Sequence, residues 1–344
     1  MDNTNQKIIN AIIEKASKVC PGALALIGIY GSVATGDTYE KSDLDLLILI
    51  QNDEGWRIGS GFILEDKGVG YDLYCTNWEG LQYDAECHHA HISKLMDSHI
   101  VYVNDPEAYE KLLQLRNQAK HFLASEARFE RVNALIEKAK TAYANAHLYD
   151  ELGQVRLEAF GVMHYLMDAV MLFHGRYFQK GVKRTFEELA ALPLDSIFAE
   201  TIQNIVISKD IFELRKLLKT LLLYTINHTQ HQKPKAEVSD ALAGTYEEMY
   251  SNWRNKVEEA AKNGDTFASF ANMCNFHFMM KEIAEEVDIG RFDIMGDYNP
   301  NSLADNFKAF DRYLQEYEQV YARAGISVKR FADVDAFVAS YLGE

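Results

Sequence analysis

Two neighbouring clusters in this chain carry side chains that can act on a phosphorylated molecule. Gly31-Ser32-Val33-Ala34-Thr35-Gly36 is followed six residues later by Ser42-Asp43-Leu44-Asp45-Leu46. The first cluster suits phosphate oxygens. Gly31 and Gly36 have no Cβ, so backbone N–H groups and the Ser32 hydroxyl can approach an anion, and a short helix after Ser32 would add its N-terminal partial charge. The second cluster suits a hard cation. Asp43 and Asp45 repel each other when close, and a divalent ion with oxygen ligands, such as Mg²⁺ beside a triphosphate, offsets that repulsion. Gly31, Ser32, Gly36 and Ser42 on the nucleotide and Asp43 and Asp45 on metal would together support an in-line displacement at phosphorus.

These side chains need rigid elements behind them. Leu24 to Tyr30 is a short apolar run that reads as a buried strand, with Gly31-Ser32 opening the turn at its end. Leu44 to Ile50 reads as a second strand, and residues two apart on a strand share a face, which puts Asp43 and Asp45 side by side. Before them, Thr4 to Val19 carries Ile8, Ile9, Ile12, Ile13 and Ala16 at helical spacing, and Pro21-Gly22 ends that helix. Glu65-Asp66-Lys67-Gly68 reads as a hairpin turn between β-prone runs, the second holding Gly70-Tyr71-Asp72-Leu73-Tyr74. Asp72 stands alone in this aromatic strand, either as a site carboxylate or as an edge-strand residue facing water. Glu79 to Asp97 and Pro106 to Ser125 read as helices.

The pattern of Gly-Ser, a nearby Gly and Asp-x-Asp on the following strand resembles the DNA-polymerase-β-like nucleotidyltransferase superfamily. The resemblance implies that Gly31 and Ser32 hold the β- and γ-phosphates and that Asp43 and Asp45 bind metal. It also implies a third carboxylate from a later strand, for which Asp72 is the candidate and Glu65 the weaker substitute. Two Mg²⁺ ions and ATP as nucleotide donor follow from the same resemblance. A small domain of this kind ahead of a helix bundle is similar to the aminoglycoside nucleotidyltransferases, in particular the kanamycin-type group. The likeness is specific over Tyr30 to Trp78 and diffuse over Glu126 to Leu192. In that group a glutamate on the first bundle helix serves as general base. Laying Ala134-Leu135-Ile136 on the corresponding helix puts Ala142 near that position, so the nearest acids, Glu137, Glu151 and Glu158, are the substitutes, and Glu158 is taken as the base. Two further readings keep the fold: an antitoxin-like transferase acting on a protein or tRNA acceptor, and a silent nucleotide-binding regulatory module.

From Glu126 onward, Leu, Ala, Glu, Lys, Met and Tyr recur at helical spacing, with turns at Leu192-Pro193, Lys233-Pro234, Lys262-Asn263-Gly264-Asp265 and Asn299-Pro300. The expected fold is therefore α+β: a mixed sheet with flanking helices over residues 1–120, then an all-α bundle over 121–344 that binds the acceptor. With 344 residues, 48% hydrophobic content and five prolines, the chain can bury a substantial core and hold long helices.

Thirty-five basic against 51 acidic residues give a net charge of −16, which disfavours a nucleic-acid partner and suits a small cationic acceptor. No run approaches the ~20 apolar residues of a membrane span, and the polar start reads as no signal peptide, so a cytoplasmic protein is expected. Four scattered cysteines suggest reduced thiols, and a homodimer is compatible with the family. Arg176 to Arg184 is a basic patch after the apolar run Val162 to Phe173. It can complement the helix C-terminus, or it can bring Lys183 to the triphosphate. Cys87-His88-His89-Ala90-His91 looks dense in metal ligands, but His88 and His91 lack a second pair at zinc spacing, and no zinc site is expected.

Overall fold

The computed structural model describes residues 3–231 and 242–343, and the chain divides into two compact units, residues 1–231 and 232–344. The first unit begins with α1 (Asn3–Val19), whose buried face is Ile8, Ile9, Ile12 and Ala16. Strand β1 (Leu24–Ile29) leads into a one-turn helix α2 (Gly31–Thr35), and β2 (Leu46–Ile50) returns antiparallel to β1, with Ile29 opposite Leu46 and Leu24 opposite Ile50. The hairpin β3 (Ser60–Leu64) and β4 (Val69–Leu73) forms its own two-stranded sheet, turning at Gly68 with φ +60°. Then come β5 (Cys75–Thr76), α3 (Trp78–Ala85), α4 (Ser93–Met96) and β6 (His99–Val103). The main sheet runs β5-β2-β1-β6, with β5 parallel to β2 and the other pairs antiparallel. It is the mixed sheet expected from the sequence.

Every residue of β1 and β2 is buried because both faces of the sheet are covered. Leu46, Ile48 and Ile50 pack with α1 and with Tyr71 and Leu73 of β4, while Leu47 and Leu49 face a second, larger core. Each such side chain stabilises the fold by about 1.5–3 kcal/mol relative to exposure.

That larger core continues without interruption into α5 (Pro106–Ala124), α6 (Ala127–Leu148), α7 (Leu152–Phe173), α9 (Ser196–Ile207) and α10 (Ile211–His228), with the short α8 (Thr185–Leu189) beside them. The boundary expected at residue 120 therefore falls inside the first unit, one turn before the end of α5. Gly161 of α7 leaves room for Ala142 of α6, and a Cβ built on it would sit 3.5 Å from the alanine's.

Two local expectations change. Glu79 to Asp97 is not one helix: α3 stops at Ala85, and Cys87 adopts φ +51°, a left-handed conformation that a non-glycine residue takes at a cost. The chain then runs irregularly through His88–His91 before α4. β2 also starts at Leu46 rather than Leu44. Its partner strand ends at Ile29, and the bond from the Tyr30 amide to the Asp45 carbonyl, 3.1 Å, is the last before α2 turns away.

In the second unit, α11 (Thr245–Met249) passes through a π-turn at Tyr250–Arg254 into α12 (Asn255–Asn263), followed by α13 (Thr266–Glu286), α14 (Leu303–Arg323) and α15 (Val334–Tyr341). Gly264, φ +71°, ends α12 at the turn expected there, and Asp265 caps α13 by accepting from the Ala268 amide. The core joins Met273, Phe276, Phe310, Leu314, Tyr317 and Tyr321, and the two tyrosine hydroxyls share Thr245 Oγ1 at 2.7 and 3.0 Å. The turn expected at Lys233-Pro234 lies outside the described residues.

Candidate active site

The two clusters meet where β1 ends and β2 begins. Gly31 has φ +66°, and a Cβ there would lie 1.9 Å from Asp45 Oδ2, so glycine is required twice over: for the backbone angle and for the close approach of a carboxylate. The Ser32 amide donates to Asp45, an anion at the start of a helix. Asp43 is exposed, Asp45 is half-buried and Leu44 between them is buried, so both carboxylates point to the side opposite Leu44. Burial, and then the charge of Asp43, raise the Asp45 carboxyl above its ordinary value, while the Ser32 amide lowers it.

Asp72 is exposed on β4, opposite Gly61 of β3. It shares with Asp43 an open groove of about 600 Å³ whose other walls are Gly61, Phe62, Ile63, Gly70 and Tyr71, with the Phe62 and Tyr71 rings stacked at 5.1 Å. Tyr30 links the whole group. Its phenol is pushed up to about 12, first by burial and then by the charges of Asp45, Asp84, Asp43 and Asp72. The charges of the site aspartates thus all act on this one phenol. Sequence reasoning missed Tyr30 and Asp84. Asp84 is buried on α3, 3.4 Å from both His89 Nε2 and Lys94 Nζ, and in the sequence it is one acid among several on a helix.

The remaining sequence candidates occupy distinct places. Gly36 has φ +73° and caps the C-terminal end of α2, its amide bonded to Ser32 O. Ser42 Oγ accepts from the Tyr39 amide at 2.9 Å and shapes the turn before Asp43. Lys183 reaches the loop that follows α2, with Nζ donating to the Asp37 carbonyl and lying 3.3 Å from its carboxylate. Arg184 holds the same carboxylate through two bonds of 2.8 and 2.9 Å, and this pairing keeps the Asp37 carboxyl well below the usual range. The basic patch thus sits at the glycine-serine loop, paired with an acid. Glu158, on α7, accepts from Asn145 of α6 at 3.4 Å and is not among the groups lining the aspartate groove. Glu65 lies in the β3–β4 turn.

The donor set fits a hard divalent cation: oxygen ligands only, like charges close enough to perturb each other, and open access through the groove.

Residues 7–120 match the family model of the nucleotidyltransferase domain. A similar solved structure is a nucleotidyltransferase-like protein from Exiguobacterium sibiricum, at 14% identity over 73% of this chain and 81% of that chain, with a TM-score of 0.35. No curated protein matches the chain. The match over residues 7–120 gives the chain a nucleotidyltransferase domain, and with it transfer of nucleotidyl groups from a nucleoside triphosphate as its general activity. Among the described residues, no helix is long and apolar enough to cross a membrane.

Proposed function

We propose that this enzyme moves AMP from ATP to a hydroxyl of a small cationic acceptor of the aminoglycoside class and releases pyrophosphate. The observation that carries the reading is the glycine-serine turn at which Gly31 meets the Asp45 carboxylate, with Asp43 and Asp72 lining one open groove beside it. Asp43 and Asp45 would hold two Mg²⁺ ions, with Asp72 joining the one nearer the acceptor. When bound, these ions supply charge neutralisation on the triphosphate and activation of the attacking oxygen.

The protein's own groups do the rest. Ser32 and the loop amides orient the phosphates, and Gly31 admits Asp45 to the same turn. The acceptor oxygen forms the new bond to the α-phosphorus, the bond to the pyrophosphate oxygen breaks, and the acceptor proton passes to a general base, a role proposed for Glu158 from the family resemblance although it does not line the aspartate groove. The net charge of −16 supports a cationic acceptor over a nucleic acid. The reading includes a cytoplasmic location and a homodimer.

The test is pyrophosphate release by the purified protein with Mg²⁺ and each nucleoside triphosphate, across a panel of aminoglycosides and lincosamides. Release is expected only with ATP and a cationic acceptor, and not from Asp43→Asn/Asp45→Asn. Glu158→Gln should lower kcat by about 10²-fold at unchanged KM for ATP. Mg-ATP binding without turnover on any acceptor would remove the drug-like substrate from the proposal.

A further inference from the structure

A second group of ligating side chains lies in the first unit, outside the three-aspartate cluster. His91 comes from the irregular stretch between α3 and α4, and His164 and Asp168 stand one turn apart on α7. One ligating atom from each of the three lies within 4.8 Å of the others. His91 Nε2 is 3.3 Å from Asp168 Oδ1, and His164 Nε2 is 3.8 Å from Asp168 Oδ2. Ligands at about 2.0–2.1 Å from a tetrahedral zinc ion stand about 3.3 Å from one another.

Asp168 is the telling member. Its side chain is 1% exposed, and neither carboxylate oxygen makes a hydrogen bond among the described residues, although the Ala90 amide is near enough to favour the charged form. A carboxylate this buried and this poorly bonded is costly unless something compensates its charge. Both oxygens are turned toward the two imidazoles. Those rings stack on each other at 5.2 Å and 10°, and His91 also stacks on Phe178 at 4.7 Å, which fixes their orientation.

We infer that His91, His164 and Asp168 form a binding site for one borderline divalent cation of the zinc class, separate from the oxygen-only cluster of Asp43, Asp45 and Asp72. Two imidazole nitrogens and one carboxylate select such an ion over Mg²⁺. His91 and His164 remain 43% and 36% exposed, so the open side leaves a coordination position for water or a ligand atom. The ion would also tie the His88–His91 stretch to α7.

The experiment is a Zn²⁺ titration of the untagged, full-length, metal-stripped protein in competition with a chromophoric chelator, followed by Co²⁺ substitution. One equivalent of tightly held Zn²⁺ is expected in the wild type and in Asp43→Asn/Asp45→Asn, with the intense visible bands of four-coordinate Co²⁺. His91→Gln, His164→Gln and Asp168→Asn should each weaken binding at least 100-fold. The two histidine variants alter partly exposed side chains and carry the test if Asp168→Asn does not fold. Absence of stoichiometric Zn²⁺ would overturn the inference. So would binding that survives both histidine variants, or binding lost in Asp43→Asn/Asp45→Asn or in His88→Gln but kept in His164→Gln.

Discussion

Asp45 and Asp168 are both aspartates with raised carboxyl values, yet their surroundings prepare them for different partners. Asp45 is half-buried, is held by the Ser32 amide and faces a second carboxylate, so its neighbourhood is all oxygen and negative. Asp168 is fully buried, is pushed up to about 7 chiefly by that burial, and faces two imidazoles. The first arrangement suits a hard ion beside phosphate, and the second a borderline ion in a drier place. Between them lie Asp84 and His89, with His89 3.4 Å from Asp84 and its ring 6.4 Å from that of His91. The identity of the side chain fixes very little of this; the neighbours decide.

Four substitutions would break or sharpen the contrast. The largest effect belongs to Asp45→Asn, which should lower nucleotidyl transfer by about 10³-fold or more while the protein stays folded. Transfer within tenfold of the wild type, measured as pyrophosphate release, would show that the oxygen cluster is not the reaction centre. Next comes Gly31→Ala. It meets a left-handed backbone angle and the Asp45 carboxylate together, and should cost roughly 2–4 kcal/mol in denaturant unfolding. Gly36→Ala meets the angle in open space and should cost only about 1–2 kcal/mol. Equal losses at the two positions would mean that Asp45 does not press against Gly31.

The smallest effect is at Asp37, on the exposed loop after α2. Its carboxyl is depressed in the folded state, so what Arg184 and Lys183 contribute is complete above the unfolded value of 3.8 and is lost as the pH falls through the folded one. Asp37→Ala should therefore reduce ATP turnover by less than about tenfold, by the same factor at any pH from weakly acidic to weakly alkaline. A factor that changes within that window would place another titrating group in the clamp.

What could be read in advance follows from distance along the chain. The strand, the glycine turn and the two aspartates lie within one short stretch, so local pattern sufficed for β1, α2, β2 and the pairing of Asp43 with Asp45. A single acid standing out in an aromatic strand pointed to Asp72, which lines the same groove as Asp43. His91 was singled out and then dismissed, since its partners His164 and Asp168 arrive on a different helix and no spacing rule connects them. Tyr30 and Asp84 carried no signal: one reads as the last residue of a strand and the other as an ordinary helix acid. The extent of the first unit was illegible for a related reason. A single core crosses from the sheet to α5–α10, and nothing in the composition at residue 120 reveals it.

The clamp on Asp37 has a kinetic meaning. Lys183 and Arg184 both reach the glycine-serine loop, and both already face a carboxylate, in a chain that carries −16 overall. An incoming polyanion therefore approaches against the long-range field of the protein and gains attraction only over the last few ångströms. Capture of the nucleotide becomes an event that dissolved salt speeds up by screening repulsion, the reverse of the steering seen where a basic funnel draws its ligand in.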